Sequence, residues 1–275
     1  MIPFIHSLNV LLPLVYGFAL LTYASYFRTK APSSGRLAHR ALLFGMVLHG
    51  LYLVARGIAF RHFPITNFME SFTLLGFGIA SIYYVIERTT RDGNTGVFFV
   101  TIVFAMQLIS SMFLEDIDMI HPLLSNPLFG FHTTLTIYGM AALAVSFLYG
   151  GMYLVLAKEM KRHRFGVIYD RLPPLDKLES MATTAITVGL VVLGGGILLG
   201  HAWAGRTLGT FIPIDPKVLI TDAAWILYAG SLFFVRRRGW TGLRMGHFAV
   251  WTFVAFFSSI LLVNFFASSF HRFQT

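Results

Sequence analysis

Long apolar runs separated by short charged segments dominate this chain. Continuous stretches lie at about 8–27, 38–58, 68–86, 97–114, 129–157, 181–203, 218–235 and 245–267. Each approaches or exceeds the roughly 20 residues that a helix needs to cross about 30 Å of hydrocarbon. The runs are continuous and do not alternate apolar with polar positions, so they predict helices. A helix satisfies its own backbone hydrogen bonds in lipid, whereas barrel strands would carry a period of two. The expected fold class is therefore all-α: a polytopic membrane protein with about eight transmembrane helices, residues 1–275 forming a single transmembrane domain. No basic segment precedes the first run and no small-residue cleavage site follows it before Arg28, so it reads as a retained helix.

Composition agrees with that reading. Hydrophobic residues make up 56% of the chain and charged residues only 12%, more apolar content than a water-soluble core needs. The net charge of +9 would suggest a polyanionic partner until the charges are placed. Arg28, Lys30, Arg36 and Arg40 follow the first run, and Arg88 and Arg91 follow the third. Lys158, Lys161, Arg162, Arg164, Arg171 and Lys177 follow the fifth, and Arg236, Arg237, Arg238 and Arg244 the seventh. Sixteen of the 21 basic residues thus fall in alternate connections, on one side of the bilayer. The positive-inside rule makes that side cytoplasmic, so the charge is topological and calls for no nucleic acid. The expectation is an inner (plasma) membrane protein with both termini, the Glu115–Asp118 turn and the 203–217 segment on the outer side.

The absence of cysteine excludes thiolate metal sites, redox thiol pairs and a haem-attaching Cys-x-x-Cys-His sequence within this chain. Histidines are the metal-ligand candidates that are left. His132 opens the fifth run and His271 lies just past the eighth, both on the expected outer side. Two neutral imidazoles at one depth can supply both axial positions of a haem iron, with aromatic and basic neighbours around the ring. An interfacial histidine also anchors a helix end, as Tyr and Trp do. On the second run His49 and Arg56, seven positions apart, share a face with Gly45 and Tyr52. His49 is there either a ligand or propionate contact of an internal haem, or a hydrogen-bond donor to a neighbouring helix. Glu70 is placed to pair with Arg56 or to sit at the positive end of its helix. Gly194-Gly-Gly196 followed by Gly200 predicts a close helix approach and not a phosphate cradle.

Several landmarks then fall in a recognisable order: His49-Gly-Leu-Tyr-Leu-Val-Ala-Arg56, His62-Phe-Pro-Ile-Thr-Asn67-Phe-Met-Glu70-Ser71, His132, Asp215-Pro-Lys217 with Trp225 and Tyr228, and His271. Over about four fifths of its length the chain resembles the CcsA-type cytochrome c assembly proteins, membrane proteins that handle haem. The compact length also resembles the HemX branch of that superfamily, which is linked to haem biosynthesis. The resemblance implies a non-covalent b-type haem at the outer face with His132 and His271 as axial ligands. It further implies Trp203 and Phe211 against the ring, Arg206 or Lys217 near the propionates, and Asp215 within the haem-handling loop. Implied partners are a second cytochrome c biogenesis subunit and apocytochrome c. Departures are also present. Gly205, Gly209, Phe211 and Pro213 stand near positions where the family pattern carries tryptophans, Val218 replaces a glutamate, and Phe233 and Phe234 precede Arg236 where full synthases place a membrane histidine. A single haem is therefore expected. A HemX-like scaffold of haem biosynthesis, or a transporter of a metal or small solute, would use the same architecture.

Topology follows from the charge split alone. Reporter fusions at Gly93 and Arg171 should report the cytoplasm, and fusions at Asp118, at Arg206 and after Thr275 the outer side. A cytoplasmic signal from Arg206 would overturn the orientation.

Overall fold

The computed structural model describes residues 1–65, 67–115 and 126–266. Nine helices and no strand occur among the described residues: α1 (Ile2–Thr29), α2 (Pro32–Phe60), α3 (Phe68–Thr90), α4 (Gly96–Phe113), α5 (Pro127–Lys161), α6 (Val167–Arg171), α7 (Leu175–Thr207), α8 (Pro216–Arg237) and α9 (Leu243–Phe266). Eight of them are long and apolar enough to span a bilayer, which makes the chain an all-helical, multi-pass membrane protein. The apolar runs located the eight helices, but most extend further than the runs. The reason is chemical: the flanking turns carry Ser, Thr, His and basic residues that belong at the headgroups, and backbone pairing continues through them. The short α6 was not anticipated.

Local signals set the ends. Pro32 and Pro216 occupy first-turn positions where no backbone donor is needed. Asn67 caps α3 by accepting from the Glu70 amide at 2.7 Å. Lys30, Arg61 and Arg91 close α1, α2 and α3 in the left-handed conformation, with φ of 53°, 56° and 54°. Pro13 lies inside α1 without ending it.

The backbone groups into two compact units. One comprises residues 1–127 and 165–173, the other residues 128–164 and 174–275. In the first unit α1–α4 bury four tyrosines, Tyr16, Tyr23, Tyr52 and Tyr83, together with ionisable groups that hydrocarbon would not tolerate alone. Arg56 Nε lies 2.6 Å from Glu70 Oε1, which settles the expected partner of both residues. Toward the other end of α2 and α3, the Tyr23 hydroxyl donates to Glu87, and His39 Nδ1 lies 3.5 Å from the same carboxylate. The Arg171 guanidinium ties α6 to α1 by donating to the Arg28 carbonyl at 2.7 Å.

In the second unit α5 and α7 run antiparallel along a seam of glycines. A Cβ added at Gly139 would come 2.6 Å from the Leu193 nitrogen, one at Gly189 2.8 Å from Leu143 Cδ2, and one at Gly196 2.6 Å from Thr136 Oγ1. At the outermost step, a Cβ at Gly200 would come 2.6 Å from His132 Nδ1. Positions 132, 136, 139 and 143 of α5 thus meet 200, 196, 193 and 189 of α7, and each step sets one glycine against a larger residue. Both series advance by four, three and four residues, the spacing of helices that cross at a shallow angle. Small residues allow this approach where no hydrophobic force draws helices together in lipid. Gly194 meets the Trp225 ring of α8 instead, and Trp225 Nε1 donates to the Leu190 carbonyl at 2.9 Å. Around the seam Leu143, Ile186, Leu190, Leu193, Tyr228, Leu232, Phe248 and Phe256 form a continuous apolar core.

The seam predicts an asymmetry between two glycines of one helix. Gly139→Ala forces a methyl group into the Leu193 backbone and should cost about 1–3 kcal/mol, whereas Gly151, with nothing within 4 Å of its added Cβ, should accept alanine without loss. Unfolding of the purified protein in mild detergent measures both; equal behaviour would contradict the packing.

Candidate functional site

The residues singled out from the sequence separate into two groups. His49 lies in the first unit, fully buried, with both ring nitrogens engaged. Thr73 Oγ1 donates to Gln107 Oε1, so His49 Nε2, 3.1 Å from the Thr73 hydroxyl, must donate to that hydroxyl. The Tyr16 hydroxyl then donates to His49 Nδ1 at 3.1 Å. Gln107 Nε2 continues the chain to Ser111 Oγ at 3.0 Å, and Ser111 Oγ donates to the Asn9 carbonyl at 2.9 Å. This directional chain links α1, α2, α3 and α4. For His49 to coordinate iron, one of these bonds must break, so the geometry favours the helix-joining role.

In the second unit His132, Trp203, Arg206, Phe211, Asp215 and Lys217 lie near the start of α5, the end of α7 and the start of α8. His132, in the second turn of α5, rests its imidazole on Gly200, and its Nδ1–H donates to the Gly196 carbonyl at 2.7 Å. A carbonyl only accepts, so Nδ1 carries the proton and the lone pair of a neutral ring lies on Nε2. That nitrogen has no hydrogen-bond partner among the described residues. Lys217 and His201 are within electrostatic reach of the ring.

Trp203 was expected in a loop that begins at its own position. Instead α7 continues to Thr207, and Trp203 is buried on the helix with its indole against Phe129, ring centroids 5.2 Å apart. Its Nε1–H, buried, finds no acceptor among the described residues. An orphaned donor of this kind costs about 1–3 kcal/mol unless a ligand or water supplies an acceptor. The loop proper starts after Leu208 with Gly209 at φ 75°, a conformation that favours glycine. Arg206 is exposed in the last turn of α7, and Phe211 is about half exposed on the loop.

The Asp-Pro-Lys run has a local explanation. Asp215 caps α8: its Oδ1 accepts from the Lys217 amide at 2.9 Å and from the Val218 amide at 3.3 Å, with Pro216 in the first turn. The motif therefore sets where α8 begins and how Lys217 leaves the helix. His271 lies outside the described residues.

One residue of this region was missed in the sequence. His201, buried on α7, donates from Nδ1 to the Phe211 carbonyl at 3.0 Å and has Nε2 3.0 Å from Asp222 Oδ2 on α8. The signal was available, since an imidazole and a carboxylate within neighbouring apolar runs call for each other as partners. Its Nε2 is committed to Asp222, whereas that of His132 is not. Of the two imidazoles, only His132 offers a lone pair. No cluster of three metal-ligating side chains occurs among the described residues.

These elements define an all-helical, multi-pass membrane protein. Comparison with known proteins gives the class a name. The profile of the cytochrome c assembly protein family matches residues 65–271, and the chain belongs to that family. It is similar to Protein HemX of Brevibacillus brevis, at 28% identity over 97% of both chains. It is also similar to cytochrome c biogenesis proteins CcsA: one from Prochlorococcus marinus at 24% identity over 82% of this chain and 80% of the relative, and one from Guillardia theta at 26% over 81% and 80%.

The His49 chain carries its own prediction. Thr73→Val removes the acceptor of His49 and the donor to Gln107 while keeping the side-chain shape. It should cost about 1–2 kcal/mol of stability in a bilayer mimic. Stability equal to the wild type would show that the chain is not formed.

Proposed function

We propose that this protein binds one b-type haem non-covalently at the outer face of the inner membrane and presents it for cytochrome c maturation. The observation that carries the proposal is His132: packed on Gly200, its tautomer fixed by the Gly196 carbonyl, its Nε2 held open. A carbonyl partner on the opposite nitrogen orients a ligating imidazole and raises its basicity. Haem bound here would supply an iron with two axial positions and a pair of propionates.

The chain's own residues fit that group. His132 Nε2 would ligate the iron, and His271 is the proposed source of a second imidazole. Trp203 and Phe129 present an aromatic wall, and the unpaired Trp203 N–H is a donor for a propionate or another acceptor. Lys217 and Arg206 bring positive charge to the same end, and Phe211 shields it from water. Asp215 contributes by fixing the start of α8. No side chain here is placed as a general acid, base or nucleophile. The chain's part is to bind and orient, and thioether bonds would form on the cysteines of a bound apocytochrome c. A second biogenesis subunit is the expected partner in that step.

A second reading has one observation in its favour: the 97% mutual coverage with Protein HemX, in a chain whose loop carries Phe211, Ile212 and Ile214 and no tryptophan. On that reading the protein is a membrane scaffold of haem biosynthesis. A deletion strain with normal c-type cytochromes and altered haem synthesis would favour it.

His132→Ala and His271→Ala should each lower the haem retained on purification, and added imidazole should restore part of it by filling the vacated position. Unchanged haem content and absorption spectrum in the double variant would sink the ligand assignment.

A further inference from the structure

Three features of the second unit meet at His201. The imidazole is buried on α7, one residue beyond the glycine on which His132 rests. Its Nδ1 reaches the Phe211 carbonyl in the 208–215 loop, and its Nε2 reaches Asp222 on α8. The Phe211 ring lies over the imidazole, with centroids 5.4 Å apart and planes 31° apart. A single side chain therefore ties helix, loop and following helix together.

Besides this tie, Pro213 and Asp215 are buried, while the other side chains of the 208–215 loop are exposed. Ile214 is 95% exposed and Ile212 58%, so neither packs into the unit. Within the loop, the Asp215 amide donates to the Pro213 carbonyl at 2.9 Å, a bond that shapes the loop without fastening it to α7. α7 and α8 have other bonds between them: Trp225 Nε1 to the Leu190 carbonyl, and Arg236 to Thr187 Oγ1 at 2.7 Å. These hold the helix pair if His201 is changed. Among the described residues the Phe211 carbonyl accepts no other hydrogen bond, and the imidazole is what ties it to α7 and α8.

Proton accounting makes the tie directional. The carbonyl can only accept, so Nδ1 is protonated; a second proton lies between Nε2 and the Asp222 carboxylate. The aspartate thus holds the ring in the orientation that aims Nδ1–H at the loop. We propose that His201 is a positioning residue that, braced by Asp222, clamps the 208–215 loop onto α7 and keeps Phe211 against the candidate site at His132. The clamp rests on the haem-presenting function in one respect only, namely what the closed loop covers.

The chain has no cysteine, so one introduced thiol is a unique label. Thr210→Cys, exposed beside Phe211, carries a nitroxide, and its spectrum in lipid nanodiscs reports loop mobility without haem. The otherwise wild-type chain should show a slow component that His201→Gln loses, because a glutamine amide reaches Asp222 but leaves the Phe211 carbonyl unbonded. His201→Asn, whose amide takes the place of Nδ1, should recover it. In the same series without the label, His201→Gln should retain several-fold less haem with its absorption maxima unmoved, since His132 is untouched, and His201→Asn should restore retention. A slow component unchanged in His201→Gln would overturn the clamp. A mobile loop with full haem retention would overturn the positioning role. If the wild-type chain takes up no haem, the proposed function fails, and the nitroxide spectra still decide the clamp.

Discussion

The contact on which the site depends is the approach of α5 to α7 along four glycines. At each step a side chain of one helix enters the space that the other leaves by having none, and the last step seats an imidazole. Hydrophobic burial supplies no force between helices already in lipid, so this fit and the few polar bonds beside it determine the register. A shift by one residue would take His132 off Gly200 and away from the Gly196 carbonyl. The placement of the His132 imidazole at the helix end is thus a consequence of the packing along the seam.

The first unit manages polarity differently. There His49, Thr73, Gln107, Tyr16 and Ser111 satisfy one another in one direction, and Arg56 and Glu70 neutralise one another. Groups that are expensive in hydrocarbon become joints between four helices once every donor has its acceptor. Among the described residues the second unit leaves His132 Nε2 and the Trp203 N–H without a hydrogen-bond partner, whereas both ring nitrogens of His49 are engaged.

Eight helices were legible in the sequence because length and hydropathy determine them almost alone, and the pairing of Arg56 with Glu70 was one of the two roles the sequence offered for Glu70. The glycines of α7 announced a close approach but not its partner, since antiparallel register is set by shape on both helices. Trp203 was assigned to a loop because apolar content falls off after it; the helix continues for one more turn, as backbone pairing does not stop where hydrocarbon ends. Asp215-Pro216-Lys217 looked like a binding motif, and its first two residues are also a helix cap. His201 and Asp222 were overlooked because they are far apart in the sequence, and only the folded chain brings the imidazole to its two acceptors.

The most direct test of this account is the visible absorption spectrum of the gently purified protein, compared with that of Gly200→Ala. The wild type should carry a low-spin haem with two nitrogen ligands. The alanine methyl, driven into the His132 ring, should convert it to a high-spin, partly ligated form although no proposed ligand is itself substituted. A haem-free wild type, or a Gly200→Ala spectrum identical to it, would contradict the claim that helix packing holds His132 for iron.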